Sequence, residues 1–162
     1  MSTEPKMMSY AVPVNQDYLA VVGSIAIKHA HLDHALQMVI MTLSGMTLDQ
    51  ALNATEYDGS RELRDQIRKL AKKRLGVEPH LLVKDMLNRC KKATKKRNNL
   101  LHSIFAQQLD GDMRIRNSDQ GWTEIPSFDW LSELNAEIHN LVLELNTERR
   151  HGFIHEALKK AH

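Results

Sequence analysis

The sequence predicts an all-α fold: a four-helix bundle with a small β-hairpin inserted before the last long helix. Three observations carry this. Apolar residues recur at steps of three and four through four long stretches. Between Leu109 and Pro126 that period disappears and alternation takes its place. Finally, 162 residues with 42% hydrophobic, 4 Pro and 7 Gly suit one domain with one core and exclude a fibrous or low-complexity chain. The expected organisation is a flexible N-terminal arm over 1–16 and a single helical domain over 17–162.

The first helix is marked by Tyr18, Val22, Ile25, His29, Leu32, Leu36, Val39 and Leu43, about seven turns with Asn15 or Asp17 as cap and Gly45 as stop. Thr47 with Asp49 and Gln50 has the form of a capping sequence for a short helix, and Asp58-Gly59-Ser60 is a turn. The second long helix spans about Arg61 to Leu75, with Leu63, Ile67, Leu70, Ala71 and Leu75 inward and its basic residues mostly outward. Glu78-Pro79 opens the third, since Pro is tolerated in a first turn. Its stripe is Leu82, Met86, Cys90, Ala93, Arg97, Leu101 and Ile104. Met113 to Arg116 and Trp122 to Ile125 alternate around Asn117–Gly121 and form the expected hairpin. Ser127 caps the fourth long helix, carrying Leu131, Leu134, Ile138, Leu141 and Leu145, and Gly152 separates a last short one.

Composition narrows the class of function. Cys90 is the only cysteine, so no intrachain disulfide forms and a disulfide-stapled secreted module is excluded. With no signal-like apolar stretch in the first twenty residues, the expected home is the cytoplasm, away from membranes. The formal net charge of +2 is unevenly spread: Ser60 to Arg97 holds 14 Lys/Arg against 4 Asp/Glu, while both flanks are acidic. Such a segment attracts phosphates, or is simply a solvated helical face.

The third helix carries the polar residues that stand out. Arg97 occupies a place in the apolar stripe between Ala93 and Leu101, and Asn98 and His102 are four apart, on nearly one face. Arg97 and His102 lie about 7.5 Å apart along the axis and about 140° around it. One helix cannot point both straight at one small group, so the spacing favours a cleft shared with a second copy. Imidazole titrates near neutrality and can move a proton to or from a 2′-hydroxyl or a leaving oxygen. A guanidinium offers a rigid fork to phosphate oxygens. Asn98 can orient either group, and Lys91, Lys92, Lys95 and Lys96 can hold the flanking backbone. The competing reading is structural, with Arg97 tied to the hairpin and His102 a satisfied inward histidine.

The segment Lys96-Arg97-Asn98-Asn99-Leu100-Leu101-His102 resembles the signature of the HEPN superfamily, the higher eukaryotes and prokaryotes nucleotide-binding domains. Those helical domains carry Arg, usually a polar residue, and then His in the third main helix of a bundle. The architectural resemblance spans about residues 17 to 150, and the short motif is its distinctive part; the hairpin departs from a minimal bundle. The resemblance implies catalytic roles for Arg97, Asn98 and His102 in a metal-independent endoribonuclease needing no cofactor. It implies a homodimer acting on RNA, commonly as a toxin with an antitoxin or other regulatory protein, or in phage defence. The alternative is a catalytically inactive RNA-binding or protein-interaction helical dimer.

Other clusters are weaker. His29, His31, His34 and Asp33 divide between two sides of the first helix, so no complete tetrahedral metal site is expected; His29 reads as a hydrogen-bonded interior group. Asp33 is the residue expected to reach Arg97 as an orienting ion pair. Glu148 and His151 make one Glu-x-x-His pair with Glu144 nearby, short of a di-metal centre. Cys90 reads as core. Trp122 and Trp130 are expected to lock the hairpin onto the bundle, and aromatics at 5% are too scattered for a base-stacking platform.

Overall fold

Asn15 starts the first helix by accepting a hydrogen bond from the Tyr18 backbone N–H at 3.1 Å, and Gly45 stops it in the left-handed region at φ 75°. Between them α1 (Gln16–Ser44) runs 29 residues. The structure, a computed structural model, describes residues 8–11, 13, 15–108 and 111–161. Thr47 and Gln50 exchange the two bonds of a capping box at the start of α2 (Leu48–Ala54). Helix α3 (Ser60–Arg74) ends on Lys72, Lys73 and Arg74, cations that suit the negative end of its dipole. Helix α4 (Val77–Leu101) holds Pro79 in its first turn. Ser127 Oγ accepts from the Trp130 N–H at the start of α5 (Phe128–Arg150), and α6 (Phe153–Lys160) follows Gly152.

Helix α1 is central and packs on α3, α4 and α5. Ile25, Leu32, Leu36 and Leu43 meet Leu63 and Ile67 of α3, Met86, Leu87 and Cys90 of α4, and Leu131, Leu134, Ile138 and Leu145 of α5 in one core. The four long helices make the predicted bundle, with the antiparallel strands inserted before the last of them. Among the described residues no helix is long and apolar enough to cross a membrane.

The inserted region is larger than a hairpin. Strands β1 (Met8–Tyr10), β2 (Ile104–Gln108), β3 (Met113–Asn117) and β4 (Gly121–Glu124) form one antiparallel sheet in that order. Helix α4 therefore stops at Leu101, and Ile104, read from sequence as its last inward residue, opens β2. Part of the arm expected to be loose pairs with β2 through Met8–Tyr10; residues 1–7, 12 and 14 lie outside the described residues. The β3–β4 turn is shaped by Asn117, whose Oδ1 accepts from the N–H groups of Asp119 and Gln120 at 3.1 and 2.8 Å, with Gly121 at φ 71°.

The two tryptophans part company across this sheet. Ile115 and Thr123 are cross-strand partners facing α4 and α5, where Trp130 packs against the core. Trp122 pairs instead with Arg116, and strand alternation sends both to the opposite face. Trp130 thus joins sheet to bundle.

Candidate functional site

Arg97 and His102 leave α4 in different directions, as their spacing requires. Arg97 sits where α4 meets α1 and α3. Its Nη1 donates to Asn98 Oδ1 at 2.8 Å, and its buried Nε has no hydrogen-bond partner among the described residues. Close by, His29 of α1 is only 2% exposed and its Nε2 lies 3.1 Å from Thr94 Oγ1. Arg64 of α3, 7% exposed, donates to the same hydroxyl at 3.5 Å. Burial holds the His29 imidazole below its ordinary pKa; Asp33 opposes that shift, while Arg97 and Arg64 add to it. Burial also lowers the pKa of Arg64.

Asp33 is not the partner of Arg97. Its Oδ2 lies 3.6 Å from His29 Nδ1, and its Oδ1 accepts from Ser60 Oγ at 2.5 Å. The reason lies in α3: Gly59 supplies no side-chain cap, so the partly positive helix start is open to a carboxylate from α1. His29 is the interior, hydrogen-bonded histidine expected of it. The cluster combines two guanidinium groups with one carboxylate.

His102 caps the other side of the same helix end. Its N–H donates to Asn98 O at 2.9 Å, and its exposed side chain lines a shallow pocket of about 400 Å³ with Asn98, Asn99, Ser103, Arg116 and Ser118. The sheet flanks His102 without sealing it. Asn98 links the two directions: its side-chain oxygen holds Arg97, and it shares the pocket of His102.

The four lysines divide by helix geometry. At about 100° per residue, Lys91, Lys95, Asn98 and His102 follow one side of α4, and Lys92 and Lys96 another. All four are exposed; Lys95 pairs with Asp119 at 3.1 Å and Lys96 with Glu137 at 2.7 Å. Pairs of this kind at the surface contribute about 0–1 kcal/mol.

Among the described residues, no three His, Cys, Asp or Glu gather as a metal-binding group. Glu144 is gripped by Arg89 through bonds of 2.6 and 2.5 Å, and Glu148 Oε2 accepts from the Phe153 N–H at 2.8 Å. Cys90 lies in the core, where burial pushes its thiol up to about 12.

Sequence reasoning missed Ser60, Arg64, Thr94 and Arg116. Arg64 had a signal, since it falls three and seven residues before Ile67 and Ala71 on the inward face. Arg116 had none, because its place beside His102 depends on its strand's pairing with β2. No family model matches this chain, and no match was found among curated proteins or solved structures.

Proposed function

We propose that this chain is a metal-independent endoribonuclease acting as a homodimer. The observation that supports it most is Asn98, hydrogen-bonded to Arg97 and lining the open pocket of His102. Together with the Arg-Asn-x-x-x-His resemblance to HEPN domains, it favours a phosphodiester site over three unrelated polar residues.

In this reading His102 removes the proton of a 2′-hydroxyl, and the oxygen attacks the neighbouring phosphorus. The bond to the 5′-oxygen breaks, and the His102 of a second copy returns a proton to that oxygen. The products carry a 2′,3′-cyclic phosphate and a 5′-hydroxyl. Arg97 meets the charge that builds on the phosphate oxygens, Asn98 positions it, and Arg116 with Lys91 and Lys95 holds the flanking backbone. A cytoplasmic toxin or defence role, restrained by an antitoxin or other regulatory protein, accompanies this reading through the resemblance.

One observation favours a second reading, an inactive RNA-binding or protein-interaction dimer. Within a single copy Arg97 lies close to His29 and does not line the pocket described for His102. Cleavage of a mixed RNA pool in EDTA separates the two. The nuclease reading expects cyclic-phosphate ends and a loss of about a hundred- to ten-thousand-fold in His102→Ala. Ends bearing 3′-hydroxyls, or equal cleavage by the variant, refute it; salt-sensitive RNA binding without turnover supports the second reading.

A further inference from the structure

Beside the His102 pocket lies a second and larger one, of about 430 Å³, between the inner face of the sheet and the helices α4 and α5. Asn99 and Asn117 line both, so the two are neighbours. Leu100 and Ile115, both buried, contribute to its lining, as does the half-buried Trp130 indole. Its polar groups are the amides of Asn99, Asn117 and Gln120, the hydroxyls of Thr123 and Ser127, and one charge of each sign, Glu124 and the Lys96 that pairs with Glu137. Among the described residues, the side chains of Asn99 and Thr123 make no hydrogen bond, and Asn117 engages only its oxygen, leaving its NH₂.

This chemistry matches a planar, uncharged, hydrogen-bonding ligand. Unpaired amides supply donors and acceptors, apolar walls replace water, and an indole offers a flat surface. Unstacked bases of single-stranded RNA are recognised by this combination of aromatic stacking and edge hydrogen bonds.

We propose that this pocket takes one nucleobase of a single-stranded RNA whose phosphate lies at His102, and so sets the base preference of the site. The inference rests on reading the His102 pocket as a phosphodiester site. Trp130 is the stacking wall, and Asn99 is the residue that reads the base edge. The sheet, which a plain bundle would lack, supplies half of the pocket.

The test uses the full chain with His102→Ala, so that RNA binds without turnover. Adding Trp122→Phe leaves Trp130 as the only indole and touches only the far face of the sheet. Short homopolymeric RNAs of each base, and an abasic strand of equal length, are titrated against Trp130 fluorescence. Quenching by one or two of the bases and not by the abasic strand is expected, with affinity for the preferred base falling about 3- to 10-fold in Asn99→Ala. Quenching by the abasic strand, equal affinity for all bases, or an unchanged preference in Asn99→Ala overturns the pocket.

The outcomes separate this inference from the nuclease reading. Cleavage that needs His102 but shows no base preference and no Trp130 response removes the pocket and leaves the nuclease. Base-selective quenching in a protein that never cleaves RNA keeps the pocket and removes the nuclease. Failure to bind any RNA overturns both.

Discussion

His29 shows what burial does to a residue whose chemistry looks available in the sequence. Three histidines and an aspartate within six residues invite a metal reading, yet the fold gives His29 to Thr94 and Asp33 to Ser60. Because burial and the facing Arg64 and Arg97 lower its pKa, with Asp33 only partly offsetting them, the unfolded chain takes up a proton there first. Stability tied to His29 is therefore complete well above its unfolded value of about 6.5 and is lost as pH falls through it. The melting temperature should drop between about pH 7.5 and about pH 5.5, and drop less in His29→Gln, which stays neutral. Equal slopes in the two proteins would place the effect elsewhere. The inward place of His29 and the odd position of Arg97 were legible from helical period alone. The short contact between Ser60 and Asp33, 27 residues apart, was not.

At the scale of elements, local signals placed the helices well. Asn15, Gly45, Thr47 and Ser127 act as the caps and stops their residue types imply, because those bonds form within a few residues. The α5–α6 junction adds a steric constraint: a Cβ on Gly152 would approach the Glu148 Cα to 2.7 Å and disturb the carboxylate that caps the Phe153 N–H. Gly152→Ala should destabilise the protein by about 1–3 kcal/mol. That lowers the melting temperature by roughly 2–4 °C for each kcal/mol, so an unchanged temperature would show that the junction relaxes freely. The sheet was read less well. Its β3–β4 hairpin has a local turn, whereas β1 and β2 pair across more than ninety residues, which no short-range pattern records.

For the whole molecule, charge and assembly matter most. The basic run from Ser60 to Arg97 is folded onto α3 and α4, where Arg64 and Arg97 turn inward and the lysines stay outside. Within one copy Asn98 links the Arg97 cluster to the His102 pocket, and the proposed shared cleft brings in a second copy. Sedimentation at micromolar concentration should give a mass near twice 18.6 kDa. A monomer at that concentration would refute the dimeric site while leaving the single-copy base pocket intact.

The sequence by itself determined the bundle, its four long helices and the β3–β4 hairpin, because helical period, caps and tight turns are local properties of the chain. It also singled out Arg97, Asn98 and His102, since a cation in an apolar stripe stands out without any structure. Only the tertiary structure decided which way those residues face, that Asp33 belongs to Ser60 and His29 rather than to Arg97, and that Arg116 and two neighbouring pockets flank His102. Those features arise from strand register and from helices crossing in space, where contacts between residues far apart in the chain select the partner.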